Sequence, residues 1–106
     1  MKCLGIESTA HTFSCAVLER KGKRGEILSD VRKIYGPPDG EGIHPREASR
    51  HHVENSTIAL VEALQKAKVS VTDLDIISYA AGPGLGPCLR VGAVVSRALA
   101  SYYKIP

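Results

Sequence analysis

Two short segments carry residue types that can do chemistry. The first is Glu7-Ser8-Thr9, with His11 two residues further on. A carboxylate beside two hydroxyls at the end of an apolar run can orient a nucleophile or hold a metal-bound water. Glu7 would take that catalytic part, and Ser8 and Thr9 would bond phosphate oxygens. The second is AAGPGLGPCLR, residues 80–90, in which Gly82, Gly84 and Gly86 precede a helical pattern. Glycines let backbone N–H groups approach an anion, and a helix opening just after them offers its positive end. The loop is neither of the familiar nucleotide signatures. Pro87 stands where a dinucleotide fingerprint has its third glycine, and no Gly-Lys-Ser/Thr follows. A plain strand-to-helix turn, and a solvated Glu7, are the alternative readings.

The histidines do not assemble a metal site by spacing. His44, His51 and His52 lie within nine residues, with His11 apart. On a helix, neighbours such as His51 and His52 point about 100° apart, which does not suit one shared ion. No i, i+4 ligand pair occurs among them. A cap, a surface face or an interdomain contact fits these residues better. The three cysteines, Cys3, Cys15 and Cys88, are odd in number and form no CxxC pair, which suits a reducing compartment rather than a disulfide framework or a structural zinc.

The elements that must position these groups follow from hydrophobic period. Residues 2–8 alternate, with Leu4 and Ile6 on one face and Cys3, Gly5 and Glu7 on the other, as in a strand. Residues 12–19 form a second strand with Phe13, Cys15 and Val17 on one face, and the short connection makes the two an antiparallel hairpin. A basic turn at 20–25 leads to a third strand at 26–35, with Ile27, Val31 and Tyr35 together on one face. After a loop at 36–44, Pro45 opens a helix that runs to Ala67, with Val53, Thr57, Leu60, Val61 and Leu64 as its apolar stripe. Residues 75–81 are apolar almost throughout, as in a strand covered on both faces. A second helix at 87–103 carries a main stripe of Val91, Val94, Val95, Ala98, Leu99 and Tyr102. A second stripe, Gly92, Ser96 and Ala100, is small enough for either internal packing or a partner helix.

At 106 residues the chain supports one small domain. Its net charge of +3 permits an acidic partner such as RNA but does not require one. No apolar run reaches the ~18 residues of a membrane span. The order strand-strand-strand-helix-strand-helix is that of an RNase-H-like α/β lobe. A helix crossover normally returns to a parallel strand, so a fifth strand is expected after Pro106, and the chain reads as the first part of a longer protein. If the first and fourth strands are parallel neighbours, their carboxyl ends share one edge. That edge is where open α/β sheets bind ligands, and it receives both Glu7-Ser8-Thr9 and the loop 82–86.

GIESTAHT at 5–12, GIHPREASRHH at 42–52 and AAGPGLGPCLRVGAVVSRALA at 80–100 together resemble the tRNA threonylcarbamoyladenosine synthase family. The wording HPREASRHH resembles its archaeal and eukaryotic branch, the catalytic subunit of the KEOPS complex. The resemblance implies an actin-like ATPase (ASKHA) fold of two RNase-H-like lobes, residues 1–106 being an incomplete N-terminal lobe without the C-terminal one. It implies transfer of a threonylcarbamoyl group from its adenylate to N6 of the adenosine beside the tRNA anticodon. It implies a divalent metal, iron or zinc, and an adenine nucleotide as cofactors. The metal-binding HxxxH pair of the family would follow the fifth strand, so no metal ligand carries over to this chain.

The residues that do carry over are Glu7, Ser8, Thr9 and His11 of the first hairpin, and Gly82, Gly84 and Gly86 of the glycine loop. Pro45, Ala48, Ser49, Arg50 and His52 match a helix-opening motif at the rim of the cleft. The partners implied are tRNA, a small dimerising KEOPS subunit on helices 46–67 and 88–103, and a kinase-like KEOPS subunit, in the cytoplasm and without a membrane. The older description of the family as an O-sialoglycoprotein endopeptidase is the competing activity, but the chain has no HExxH helix and no nucleophile paired with a base. A third reading is a non-catalytic module that binds a partner, which suits this stretch taken alone.

Overall fold

The structure, a computed structural model, describes all 106 residues. β1 (Lys2–Glu7), β2 (Thr12–Lys21) and β3 (Arg24–Ile34) form an antiparallel meander. After α1 (Pro45–Ala67) and a single 3-10 turn (Val71–Asp73), β4 (Ile76–Tyr79) returns parallel to β1. α2 (Gly86–Tyr103) follows. The sheet order is β3-β2-β1-β4, so the two strands expected to share a carboxyl edge are hydrogen-bonded neighbours.

Both helices lie on the same face of the sheet. Leu4, Ile6, Phe13, Cys15, Val17 and Val31 point into it from the strands and meet Ala59, Ala63 and Leu74. Phe13 is fully buried, and a side chain of that size contributes roughly 1.5–3 kcal/mol of transfer free energy. α1 covers β2 and β3, and α2 covers β1 and β4. Pro45 at its start, Glu47 in its first turn and Lys66 in its last all favour the observed limits of α1.

Several expectations are corrected. The fully buried stripe of α1 is Ala48, His52, Ser56, Ala59 and Ala63, rotated from the expected one; of the expected residues Leu60 and Leu64 pack half-buried against the core, but Val53 is 61% exposed and Val61 45%. The reason is steric. The strands supply most of the large core side chains, so the helix makes much of its close approach through small residues. In α2 the expected stripe holds in part: Val91, Val95 and Leu99 pack half-buried against the core beside the buried Cys88, Gly92 and Ser96, while Val94 is 66% and Tyr102 80% exposed. Its small-residue stripe therefore packs inside this chain rather than against a partner helix.

On β3, Ile27 does not share the inner face with Val31. Register shifts at Val17/Leu18, where Val17 pairs with Ser29 but Leu18 with Ile27, so Leu28 is the extra residue of a bulge and the alternation inverts. β2 and β3 also run closer to the hairpin tip than expected, which shrinks the basic turn to Gly22 and Lys23. β4 is shorter than the apolar run that suggested it. It is packed on one face only, with Ser78 exposed. The amide of Ile77 donates to the carbonyl of Pro106 at 2.8 Å along its outer edge.

A close contact joins the end of β1 to α2. Ser8, which follows the last residue of β1, is 1% exposed. Its hydroxyl donates to the carbonyl of Cys88 at 2.8 Å and accepts from the amide of Gly92 at 3.1 Å. Those two groups are four residues apart on α2, so the hydroxyl is seated across one helical turn. A Cβ on residue 92 would lie 2.5 Å from the Ser8 oxygen and 3.5 Å from Ile6.

Alanine normally stabilises a helix interior by ~1 kcal/mol over glycine. Here overpacking, typically costing ~1–3 kcal/mol, should win. We expect Gly92→Ala to lose about 1–2 kcal/mol in urea unfolding on that balance. Adding Ser8→Ala should recover much of the loss, because the closest clash disappears. Additive losses in that double-mutant cycle would show that the Ser8–Gly92 contact is not what limits residue 92.

Candidate functional site

Strand alternation sorts the first candidate segment. Ile6 and Ser8 point under the helices, and Glu7 points to the open face of the sheet. Ser8, expected among the phosphate-binding residues, is thereby corrected. Its buried hydroxyl is already saturated by α2, so it anchors the site from below and offers nothing to a ligand.

Glu7, Thr9 and His11 remain at the surface edge. One oxygen of the Glu7 carboxylate accepts from the Thr9 amide at 2.5 Å and also from the Thr9 hydroxyl. His11 places Nδ1 2.5 Å from the hydroxyl of Thr12. Glu7, His11 and Thr12 border an open recess of about 420 Å³, lined further on by Ser14, Asp30, Arg32 and Ile34. Arg32 donates to Asp30 at 2.9 Å there, an exposed pair that puts charge at the rim but adds little stability.

The glycine loop meets this turn directly. The Leu85 amide donates to the Thr9 carbonyl at 2.7 Å. A Cβ on residue 84 would lie 2.9 Å from the Thr9 Cα, so only glycine lets the two backbones touch. Gly82 and Gly86 have no such contact with the turn; Gly86 begins α2 with open space around it. The amino end of α2 has neither a side-chain cap nor an acidic residue in its first turn. An uncapped, positive helix end at a glycine loop favours an anion. The convergence inferred from topology is therefore present, carried by Thr9 and Gly84, with Glu7 one hydrogen bond away.

The histidines are used for structure. His44 Nε2 lies 2.7 Å from Glu41 at the surface, and that carboxylate raises its pKa. His52 is fully buried, with Nε2 2.7 Å from the Ala10 carbonyl and Nδ1 2.9 Å from Nδ1 of His51. It therefore sits inside the chain, and not at a cap, a surface face or an interdomain contact. No three His, Cys, Asp or Glu side chains converge as a ligand set, and both nitrogens of His52 are already engaged. The residues present do not by themselves fit a metal centre. Cys15 and Cys88 are poor nucleophiles here: burial pushes the Cys15 thiol up to about 12 and raises that of Cys88.

Sequence reasoning missed the part played by His52, which was placed only in a rim motif. The signal available was its position on the 48, 52, 56, 59, 63 stripe, but the larger apolar residues of α1 outweighed it.

The strand order, the parallel β1–β4 pair, two helices on one face and a glycine loop at the carboxyl edge define an RNase-H-like lobe of the actin-like ATPase class. Solved structures agree on the fold. YeaZ from Pseudomonas aeruginosa superposes with a TM-score of 0.74 at 19% identity, covering 100% of this chain and 42% of that one. An exopolyphosphatase from Cytophaga hutchinsonii superposes with a TM-score of 0.51 at 16% identity, covering 99% of this chain and 32% of that one.

Within the class, residues 26–106 match the family model for tRNA N6-adenosine threonylcarbamoyltransferase (TsaD). The protein of that name from Pyrobaculum islandicum is 52% identical over all 106 residues, which is 31% of its length. That from Ignicoccus hospitalis is 50% identical, again over 100% of this chain and 31% of its own length. The chain belongs to the tRNA N6-adenosine threonylcarbamoyltransferase family, and it spans about a third of the length of these curated relatives.

Burial lowers the pKa of both His51 and His52 below the ordinary 6.5. Between the lowered value and 6.5 the unfolded chain binds more protons than the folded one, so stability rises with pH there. The stability linked to this pair is complete above pH 6.5 and is lost as pH falls below it. His44, raised by Glu41, acts in the opposite sense, but that pair is exposed and screened. Urea unfolding at pH 7.5 and pH 5 should show a lower midpoint at pH 5, and His52→Gln should reduce the difference. A midpoint independent of pH would remove the pair from the balance.

Proposed function

We propose that this chain is the N-terminal part of an enzyme that transfers the threonylcarbamoyl group from threonylcarbamoyl-adenylate to N6 of the adenosine beside the anticodon in tRNA. The observation that carries the reading is the meeting of the Thr9 turn with Gly84 at the carboxyl edge, in a chain that belongs to this family. In this reading the glycine loop and the amino end of α2 receive the phosphate of the adenylate. Thr9 and His11 hold the same nucleotide from the other side. Glu7 faces the recess, orients the reacting amine and accepts its proton; the new bond runs from N6 to the carbonyl carbon, and the adenylate phosphate departs.

The nucleotide fits this edge, because an uncapped helix end and an exposed glycine loop suit an anion. The divalent metal of the family, iron or zinc, would need ligands beyond those this chain brings together, so the chain alone is inactive in this reading. The partners we propose are tRNA, a small dimerising subunit of a KEOPS-type complex of archaeal kind, and a kinase-like subunit of that complex. The surface for the dimerising subunit is the groove of about 400 Å³ between α1 and α2, where Val53, Val91, Val94 and Val95 line an apolar floor beside Arg90. No helix is long and apolar enough to cross a membrane. A cytoplasmic setting follows from tRNA as substrate.

The full-length parent, with its partner subunits, should convert unmodified tRNA supplied with threonylcarbamoyl-adenylate. Mass spectrometry of the digested tRNA reads the modified adenosine. Glu7→Gln should lower the rate by about 10²-fold, the usual worth of a general base, with the melting temperature unchanged. A Glu7→Gln enzyme as fast as the parent would take Glu7 out of the chemistry. Absence of product from the folded parent would remove the transferase reading.

A further inference from the structure

Three consecutive carbonyls, Thr9, Ala10 and His11, are each held by a different part of the chain. Leu85 donates to Thr9 at 2.7 Å and Tyr35 donates to His11 at 2.7 Å, both through backbone amides. Ala10 alone is held by a side chain, His52. A carbonyl can only accept, so the His52 proton is on Nε2. Neutral His52 then has a bare Nδ1, which at 2.9 Å must accept from Nδ1–H of His51. A second proton on His52, at Nδ1, would place two N–H groups face to face.

We propose that His52 is a positioning residue of the candidate site: its neutral, Nε2-protonated ring locks the turn 9–11 that carries Thr9 and His11. The role rests on the reading of that site given above, but the locking itself does not. The titratable groups facing His52 are His51 on its own helix, and Glu7 and His11 from the strand end and turn packed against it. β2 presents only the Phe13 ring, 5.9 Å away between centroids. Burial and the two histidines favour the neutral ring and outweigh the Ala10 carbonyl and Glu7, which favour the charged form. Helix α1 thereby transmits its seating on the sheet to the ligand edge through one hydrogen bond.

Long-range 1H–15N spectra of the histidine rings in this chain at pH 7.5 should show opposite tautomers, Nε2–H for His52 and Nδ1–H for His51. An Nε2–H tautomer at His51, or an Nδ1–H tautomer at His52, would overturn the proposal without any variant. Two substitutions separate positioning from bulk. The amide nitrogen of glutamine reaches where Nε2 lies, and that of asparagine reaches only to Nδ1. His52→Asn should therefore speed amide exchange at Leu85 and in the turn 9–11 by about tenfold, the usual cost of a carbonyl left unpaired, with Leu4 and Val17 unchanged. His52→Gln should stay within about threefold of the parent on the same scale. Equal effects of the two variants, or a uniform rise through the sheet, would reduce His52 to core packing and sink the proposal. In the full-length parent, the same pair should split kcat for transfer in the same order, with KM for tRNA unmoved. If the parent transfers nothing, the function reading falls, and the tautomers and exchange rates still decide whether His52 locks the turn.

Discussion

Four residues between two strands, 8–11, are the constraint on which the lobe depends. This connection makes no backbone hydrogen bond within itself, and a carbonyl taken from water and left unpaired costs roughly 1–3 kcal/mol. The donors must therefore come from elsewhere, and they come from three separate elements. The glycine loop before α2 supplies the Leu85 amide, α1 supplies the His52 ring, and the residue after β3 supplies the Tyr35 amide. The hydroxyl of Ser8 adds a fourth attachment, into α2. Each element of the lobe except β4 is thus indexed on this turn, and β4 is indexed through β1, its parallel partner.

The helix faces follow from that arrangement. A helix can deliver a histidine ring or a glycine amide to the end of β1 only by lying close to the sheet. Close approach requires small residues on the facing side, and Ala48, Ser56, Ala59 and Ala63 of α1 and Cys88, Gly92 and Ser96 of α2 are small. The volume of the core is then filled from the strands by Phe13, Leu4 and Val17. Val53 and Val94 are left outward, at the groove between α1 and α2. Apolar exposure there and tight packing beneath are two results of one geometric requirement.

This explains which parts of the fold were legible in the sequence. Strand period, turn residues and Pro45 gave the elements and nearly their limits, because those signals are local. The convergence of Glu7-Ser8-Thr9 with the glycine loop was legible too, because a parallel β1–β4 pair leaves no other edge for either. The orientation of the helices was legible only in part: Leu60, Leu64, Val91, Val95 and Leu99 do face the core, but the fully buried stripes lie to one side of them. Counting apolar side chains favours the face with valine and leucine, whereas closeness favours the face without them, and the size of strand side chains decides between them. The bulge at Leu28 inverted β3 in the same way, since nothing local distinguishes a bulged strand from a regular one. His52 was obscured because its partner is a backbone carbonyl, which every residue possesses.

Adjacent residues at the end of β1 show how closely packing and chemistry are coupled. Strand alternation sends Ser8 inward to α2 and Glu7 outward to the recess. A slip of β1 by one residue would exchange them, burying a carboxylate against the amide of Gly92 and leaving a hydroxyl at the open edge. Burying that charge costs far more than burying a hydroxyl that is hydrogen-bonded. The core therefore selects the register, and the register in turn places the one carboxylate of this edge beside Thr9. The outward direction of Glu7 is a consequence of what lies under Ser8, and a change at Gly92 reaches the site without touching it.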